Sequence, residues 1–295
     1  MRHHPRGLTL LLAFSLLGCA TTTPYVGEGP HPQITRGRPV PIIDALGNIF
    51  ALPIKLILFS WNMDNHAVSE QTESYLVRYI DSPASATDGT HFSLNEYAPG
   101  RAMKRLIRNR KVAWPYRLLL GFPTTLITDV LLPGRLFAGL LGGDSYNPFT
   151  DTVAIYSDLP AVALHEAGHV HDFNRRRWKG TYALIRIIPF VDLYQEYEAT
   201  DEALDHLIGI GDRPEELAAY NILYPAYGTY VGNYFFLPGG SVLGALLGHV
   251  AGRMKARGRA KYYQRLDAAI NETIQQARPA ADLFPAAAAP ASSAP

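Results

Sequence analysis

The sequence predicts an α+β protein that is predominantly helical and has one short sheet. Helical periodicity covers much of the chain, whereas the strand-like runs, Tyr75–Ile80 and Thr152–Tyr156, are short. Of the 295 residues, 47% are hydrophobic and 18% are charged, which is typical of a globular or membrane-leaning chain and excludes a disordered one. The net charge of +1 gives no electrostatic reason to expect nucleic-acid binding.

The amino terminus has the pattern of a secretion signal. Arg2 and Arg6 precede the apolar run Leu8–Leu17, which is too short to span a bilayer. The run ends in Leu16-Leu17-Gly18-Cys19, and this tetrapeptide resembles the lipobox of bacterial lipoproteins. The resemblance implies that residues 1–18 are a signal peptide and that Cys19 is lipidated, so that its acyl chains anchor the protein to a membrane.

Cys19 is the sole cysteine of the chain. If it is lipidated, no thiol is left for a disulfide, for catalysis or for a metal. Ala20 follows it, and there is no aspartate that would resemble an inner-membrane retention signal. In a Gram-negative cell, the resemblance therefore implies the outer membrane, facing the periplasm. The alternative is an ordinary signal peptide with an incidental cysteine.

The composition divides the rest of the chain into three parts. Residues 19–41 are rich in Thr, Pro and Gly and lack periodicity, which predicts a tether. Residues 42–278 are expected to form the folded domain. Residues 279–295 are rich in Ala and Pro and predict a disordered tail.

The first half of the predicted domain contains two apolar segments and a basic one. Ile42–Trp61 predicts either a buried helix or one that lies on a membrane surface, because its two charges and one proline argue against a span. Ala98–Lys111 is rich in Arg and Lys and predicts a solvated amphipathic helix. Phe122–Leu141 is divided by Pro133-Gly134, so we expect two short elements there.

The most informative stretch is Leu159–Arg177, which contains an H-E-x-x-H motif at residues 165–169. On an α-helix, His165 and His169 lie on one face, one turn apart, where both imidazoles can bind one zinc ion. Glu166 lies about 100° round the helix, close enough to take a proton from a zinc-bound water. Apolar residues surround the first half of this helix, so we expect it to be buried, with Asp158 as its N-cap.

A catalytic zinc usually has a third protein ligand. The metzincin pattern would need Gly and His where this chain has Asp172 and Arg175, which argues against that class. The segment Glu196-Tyr197-Glu198-Ala199-Thr200 instead resembles the E-x-x-A-D pattern of the gluzincin metallopeptidases, in which a glutamate on a following helix is the third ligand. The pattern favours Glu196 as the ligand, and Glu198 is the alternative.

This resemblance covers roughly residues 152–208 and implies a zincin-like core, with Glu196 on a helix predicted over Val191–Ile208. The family's Asp, which orients a ligand histidine, is replaced here by Thr200, so Thr200, Asp201 or Asp172 would have to do that work. A donor that stabilises the developing oxyanion is also expected. The candidates are Tyr224, Tyr227, Tyr230 and His206, and the pattern does not choose among them.

The carboxyl-terminal part has glycines at intervals of four. They are Gly228 and Gly232, then Gly240, Gly244, Gly248 and Gly252. On a helix this spacing makes a smooth stripe, and a cluster of Arg and Lys follows it at residues 253–261. One interpretation is close packing of two helices inside the domain. The other is a glycine zipper in or on a membrane, with a basic flank. A charged helix is predicted over residues 256–277.

These patterns predict a membrane-anchored zinc peptidase of the cell envelope. Zinc would be bound by His165, His169 and Glu196, and Glu166 would be the general base. The substrate would be a peptide or protein in the envelope, and the strand Thr152–Tyr156 could pair with it as a sheet edge. The alternative is a non-enzymatic envelope lipoprotein whose metal site is structural or vestigial and whose glycine-rich segment contacts a membrane or a partner.

Overall fold

The computed structural model describes residues 20–21, 31–139, 143–188, 190–234 and 239–282. The predicted signal peptide, Cys19 and most of the predicted tail lie outside the described residues. Within them the fold is α+β and predominantly helical, as predicted, with one small mixed sheet.

The sheet has four strands, and a two-residue strand, β1 (Ala20–Thr21), adds to one edge. β2 (Ile34–Gly37), β3 (His91–Leu94) and β5 (Thr152–Ile155) run parallel to one another in that order. β4 (Ser145–Asn147) pairs antiparallel with the far side of β5. The predicted strand over residues 152–156 is therefore confirmed. The expectation that it forms a sheet edge is wrong, because β3 and β4 already pair with its two sides.

Helices make up most of the remaining described chain. In order they are α1 (Pro41–Phe50), α2 (Leu52–Leu58), α3 (Glu70–Ile80), α4 (Pro99–Arg108), α5 (114–131), α6 (Gly134–Phe137), α7 (Pro160–Arg175), α8 (Lys179–Ile185), α9 (Val191–Gly209), α10 (Arg213–Asn233) and α11 (Gly240–Asp282). In α5, two π-helical stretches alternate with short α-helical turns. The helices predicted over 98–111, 159–177 and 191–208 are confirmed, and so is the break at Pro133-Gly134.

The main core lies between the sheet and helices α3, α7 and α9. Its fully buried side chains come from all four of these elements and include Leu76, Phe92, Val153, Leu164 and Leu207. α7 is buried over most of its surface, as its apolar first half predicted. The core therefore holds the H-E-x-x-H helix on the sheet and leaves little room for it to move.

Two predictions for the amino-terminal part are wrong. Tyr75–Ile80, predicted as a strand, belongs to α3, because Ser69 caps this helix by accepting a hydrogen bond from the Thr72 N–H. Ile34–Gly37, predicted as tether, forms β2 and pairs with β3. Ile34 is buried in the main core, so this short segment gains enough apolar contact to be held in the sheet.

The glycine stripe brings α10 and α11 together as an antiparallel hairpin. A Cβ atom added to Gly228 would lie 2.2 Å from the Gly244 carbonyl oxygen, and one added to Gly232 would lie 2.0 Å from that of Gly240. Only glycine allows two helix backbones to approach this closely. The structure thus supports the interpretation of the stripe as close packing of two helices. α11 also continues without a break through residues 256–277.

Within the described residues, no single helix is both long enough and apolar enough to cross a membrane. α1 and α2 reach the required length and composition only when they are taken together, and they are bent by 52° where they meet.

Candidate metal centre

α7 presents the H-E-x-x-H motif from the middle of the core. Pro160 lies in its first turn, where a missing N–H costs no hydrogen bond. Asp158 is not the N-cap that the sequence predicted. Its carboxylate instead accepts hydrogen bonds from the Ser69 and Thr72 hydroxyls, both at 2.6 Å, which ties the entry of α7 to α3.

His165, His169 and Glu196 converge on one point. Nε2 of His165 lies 3.1 Å from one carboxylate oxygen of Glu196, and Nε2 of His169 lies 3.5 Å from the other. The two imidazole rings are 4.8 Å apart between centroids and nearly perpendicular. One candidate ligand atom from each residue lies within 4.8 Å of the other two. The three side chains are almost completely removed from solvent.

The close approach of α7 and α9 makes this convergence possible. Gly168 lies inside the motif, and a Cβ atom added to it would lie 2.7 Å from the carbonyl oxygen of Ala199. Ala199 itself is fully buried. The two small residues let the helix backbones touch beside His169, so the Glu196 side chain on α9 reaches both rings.

Glu196 is surrounded by positive or protonatable groups. Burial alone would raise the pKa of its carboxyl group, but the adjacent His169 and His165 rings outweigh burial and hold that pKa well below its usual range. The Arg186 guanidinium donates a hydrogen bond to a carboxylate oxygen of Glu196 and another to Gln195 at 3.1 Å. Glu196 is thus a carboxylate rather than a carboxylic acid, as a metal ligand must be.

Glu166 lies on α7, directly after His165, and is 7% exposed. Burial raises the pKa of its carboxyl group to about 8, and the negative charges of Glu196 and Asp144 act in the same direction. The His165 ring partly offsets this shift. Glu166 therefore differs sharply from Glu196: one buried carboxyl group is held ionised by its neighbours, and the other is not.

Thr200 occupies the position expected for a residue that orients a ligand histidine. Its Oγ1 atom lies 3.3 Å from Nδ1 of His165, on the ring edge opposite Nε2. A hydroxyl at this place can fix the tautomer and the rotation of the ring, as Asp does in the pattern that the sequence resembles. Asp201, its neighbour, is exposed.

Two other predicted candidates face away from the cluster. Glu198 forms an ion pair with Arg175 at 3.3 Å, near the surface, and does not approach the histidines. Asp172 is buried, but its carboxylate accepts hydrogen bonds from the Tyr182 hydroxyl and from Arg176. Asp172 therefore joins α7 to α8. These contacts do not support the prediction that Asp172 orients a metal ligand.

Of the candidate tyrosines, Tyr230 has the hydroxyl pKa that depends most on the charge of Glu196. The negative charge of Glu196 raises the pKa of its hydroxyl more than any other cause, and burial and Glu166 add to this effect. Tyr227, one turn earlier on α10, is influenced mainly by burial and only then by Glu196. Burial is the main cause that raises the pKa of the Tyr224 hydroxyl, and the charges of Asp201 and Tyr197 add to it. His206 packs on the Tyr79 ring instead.

Arg186 is a site residue that sequence reasoning missed. It follows the last turn of α8, and its guanidinium reaches Glu196 on α9. The available signal was a single charged residue within the apolar run 182–188. A side chain that must cross between two helices cannot be inferred from that signal alone, since most isolated arginines are simply solvated.

The donor set is chemically suited to a metal ion. Two imidazoles and one carboxylate, buried together, make up a common ligand set for a catalytic zinc with an open coordination position. Thr200 supplies the support that a ligand histidine normally has. The buried His165, His169 and Glu196 group can therefore hold a metal ion.

Comparison with known proteins adds no relative: no protein-family description, no curated protein and no solved structure matches this chain.

Proposed function

We propose that the protein is a zinc-dependent peptidase. The observation that carries this proposal is the convergence of His165, His169 and Glu196 from two helices, with Glu166 on the next position of the same motif. A site that binds zinc only for structural reasons needs ligands and no additional buried carboxyl group beside them. The presence of Glu166 in that place favours catalysis.

Each side chain has a distinct role in this proposal. His165, His169 and Glu196 would hold the zinc ion, which would supply Lewis-acid chemistry towards a water molecule and a carbonyl group. In its ionised form, Glu166 would accept the proton of the attacking water and pass it to the leaving amine nitrogen. The Tyr230 hydroxyl donates a hydrogen bond to the substrate oxygen as negative charge develops there. Thr200 holds the His165 ring in place, and Arg186 orients the Glu196 carboxylate.

The cellular setting of the proposal follows from the amino terminus. Lipidation of Cys19 would anchor the enzyme to a membrane of the cell envelope, with the domain in the periplasm if that membrane is the outer one. Its substrates would then be peptides or proteins of the envelope. Recovery of a Cys19-linked acyl group by mass spectrometry of the membrane fraction would test this part independently of catalysis.

Metal content and hydrolysis together test the enzymatic part. In the full chain, Glu166→Gln is expected to keep about one zinc per molecule and to lose peptide hydrolysis, because only proton transfer is removed. Glu196→Gln is expected to lose zinc on dialysis as well as activity. Zinc is measured by inductively coupled plasma mass spectrometry, and hydrolysis with a mixture of fluorogenic peptides.

Glu198→Gln is the matched control, since Glu198 lies two residues from Glu196 on the same helix and pairs with Arg175 outside the cluster. This variant should keep both zinc and activity. Full hydrolysis by Glu166→Gln would contradict the proposed mechanism. Zinc binding without any hydrolysis in the unaltered protein, across a broad peptide mixture, would support the structural alternative.

A further inference from the structure

All three tryptophans of the chain lie on the surface. The exposed fractions of Trp61, Trp114 and Trp178 are 69%, 67% and 71%. Tryptophan is usually mostly buried in a soluble protein, and it is enriched where a protein meets the interface between lipid and water. Each of the three borders an apolar element: Trp61 follows α2, Trp114 begins α5, and Trp178 precedes α8.

The apolar elements next to these tryptophans also expose large side chains at helical spacing. On α1 they include Ile42, Leu46 and Ile49, which lie on one face at intervals of four and three. On α5, Leu118 and Phe122 continue the spacing of four from Trp114. These faces have no covering element within the described part of the chain. Contiguous exposed apolar surface of this kind marks an interaction site.

Direct contacts join α5 to α8. The Tyr116 hydroxyl lies 2.9 Å from the Thr181 hydroxyl, and the Tyr116 ring lies against Gly180. Beyond α8, Ile187, Ile188 and Phe190 are all exposed.

The remaining contacts extend the surface to α10, α6 and α11. Phe190 stacks on Tyr234 at the end of α10, at 4.8 Å between centroids. Phe50 of α1 stacks on Phe137 of α6 at 6.0 Å. Phe59, directly after α2, stacks on His249 of α11 with 4.4 Å between ring centroids. Nε2 of His249 donates a hydrogen bond to the Ile57 carbonyl oxygen.

α11 begins with an apolar segment, residues 240–252, and a basic segment follows it. Leu243, Leu247 and Val250 are exposed in the apolar segment. Arg253, Lys255 and Arg257 follow directly, and they too are exposed and form no ion pair with any described residue. Unpaired basic side chains next to an apolar face suit the headgroups of anionic lipids, with the acyl chains behind them. A protein interface is usually poor in lysine at its centre.

We infer that these elements form one surface with which the folded domain docks on an anionic lipid bilayer. We call this surface the apolar belt; it consists of the exposed apolar side chains of α1, α2, α5, residues 184–188 with Phe190, and residues 240–252. The tryptophans lie at the interface, the aliphatic side chains enter the acyl region, and the basic residues of α11 contact the headgroups. Docking by this surface is separate from any acyl anchor on Cys19.

Tryptophan fluorescence tests this inference directly, because all three tryptophans lie in the folded domain and residues 1–18 contain none. The full chain carries Cys19→Ser, which removes the acylation site. It is mixed with vesicles of phosphatidylcholine and phosphatidylglycerol whose acyl chains are either brominated or not. Brominated acyl chains are expected to quench the tryptophan emission of the protein with the wild-type belt. Higher salt should weaken its binding to the vesicles.

The decisive variant combines Ile42→Asp, Leu119→Asp and Ile187→Asp, three residues that are each more than 70% exposed, so the core is left intact. Its apparent partition into the vesicles should fall by at least about tenfold, since burial of three apolar side chains is lost. Ile274→Asp, near the far end of α11, is the matched control and should bind like the wild type. Circular dichroism verifies that each variant is folded.

Equal quenching of the wild type and the triple variant would overturn the inference, and so would equal emission in brominated and plain vesicles. Concentration-dependent dimers in the absence of vesicles, abolished by the same triple variant, would assign the belt to a second copy of the chain and would also overturn it.

Discussion

Gly168 of α7 and Ala199 of α9 are in backbone contact, so closely that a single methyl group at position 168 would lie 2.7 Å from the Ala199 carbonyl oxygen. This contact sets the distance between the helix that carries both histidines and the helix that carries Glu196. The geometry of the cluster of His165, His169 and Glu196 therefore depends on Gly168, a residue that has no side chain.

Gly168→Ala should consequently weaken both the fold and the metal group. The added methyl group overpacks a dense interior, which typically costs about 1–3 kcal/mol of unfolding free energy. It also moves Glu196 away from the imidazoles, so zinc affinity should fall. Guanidinium denaturation and zinc titration measure the two effects. Gly209→Ala is the control, because outside the adjoining turn of α9 no atom lies within 4 Å of the position its Cβ would take. Equal destabilisation by this variant would contradict the steric explanation.

Thr200→Val removes the hydroxyl next to Nδ1 of His165 and keeps the shape of the side chain. We expect zinc affinity to drop by about 10–100-fold, which is the usual effect of losing the partner of a ligand histidine. Thr200→Ser should retain most of the affinity, because it restores the hydroxyl. Competition with a chromophoric chelator gives the dissociation constants. Identical affinities for the Val and Ser variants would show that the 3.3 Å contact has no role in metal binding.

Tyr230→Phe separates chemistry from metal binding. Loss of a donor to a developing oxyanion lowers kcat by about 10²–10³-fold in well-studied enzymes. Zinc content should stay unchanged, because the hydroxyl is not a ligand. Tyr227→Phe should have a much smaller effect, since Glu196 influences Tyr227 less than burial does. The reverse order, with Tyr227→Phe the more damaging variant, would assign the donor role to Tyr227.

Asp64 should make the protein less stable as pH rises. Its side chain is fully buried, and no described residue donates a hydrogen bond to either carboxylate oxygen. Burial raises the pKa of this carboxyl group to about 8, and the charge of Asp144 adds to the shift. The folded protein therefore keeps a proton that the unfolded chain releases near pH 4. The contribution is favourable below that pH and is lost as pH rises towards 8, by up to about 1.4 kcal/mol per unit.

Asp64→Asn cannot ionise, so it should remove this slope. The variant should gain stability relative to the wild type between pH 5 and pH 8, as measured by urea denaturation at each pH. Asp201→Asn serves as the control, because Asp201 is exposed and the same substitution there leaves the core untouched. Parallel curves for the wild type and Asp64→Asn would show that Asp64 ionises normally in the folded protein.

Local sequence patterns were sufficient for most of the secondary structure around the site. α7, α9 and β5 follow from periodicity, turn residues and apolar runs, which act over a few residues. Of the two elements that were predicted wrongly, α3 begins at a local cap, Ser69, whereas β2 depends on a contact distant in sequence. Tyr75–Ile80 is apolar enough for either state, and Ile34–Gly37 is short and becomes a strand only because β3 pairs with it.

The sequence by itself determined that His165 and His169 share one helical face, because a spacing of four is fixed by the helix alone. It also determined that the glycine stripe can bring two backbones into contact. It favoured Glu196 over Glu198 only through a resemblance to a known pattern. The two side chains point to nearly opposite sides of α9, and a helix does not determine which of its sides meets a neighbour. Only the packing of α9 on α7 selected Glu196 and brought Thr200 to His165. The tertiary structure also brought Arg186, which follows α8, to Glu196, since contacts between helices depend on how whole surfaces fit together in three dimensions.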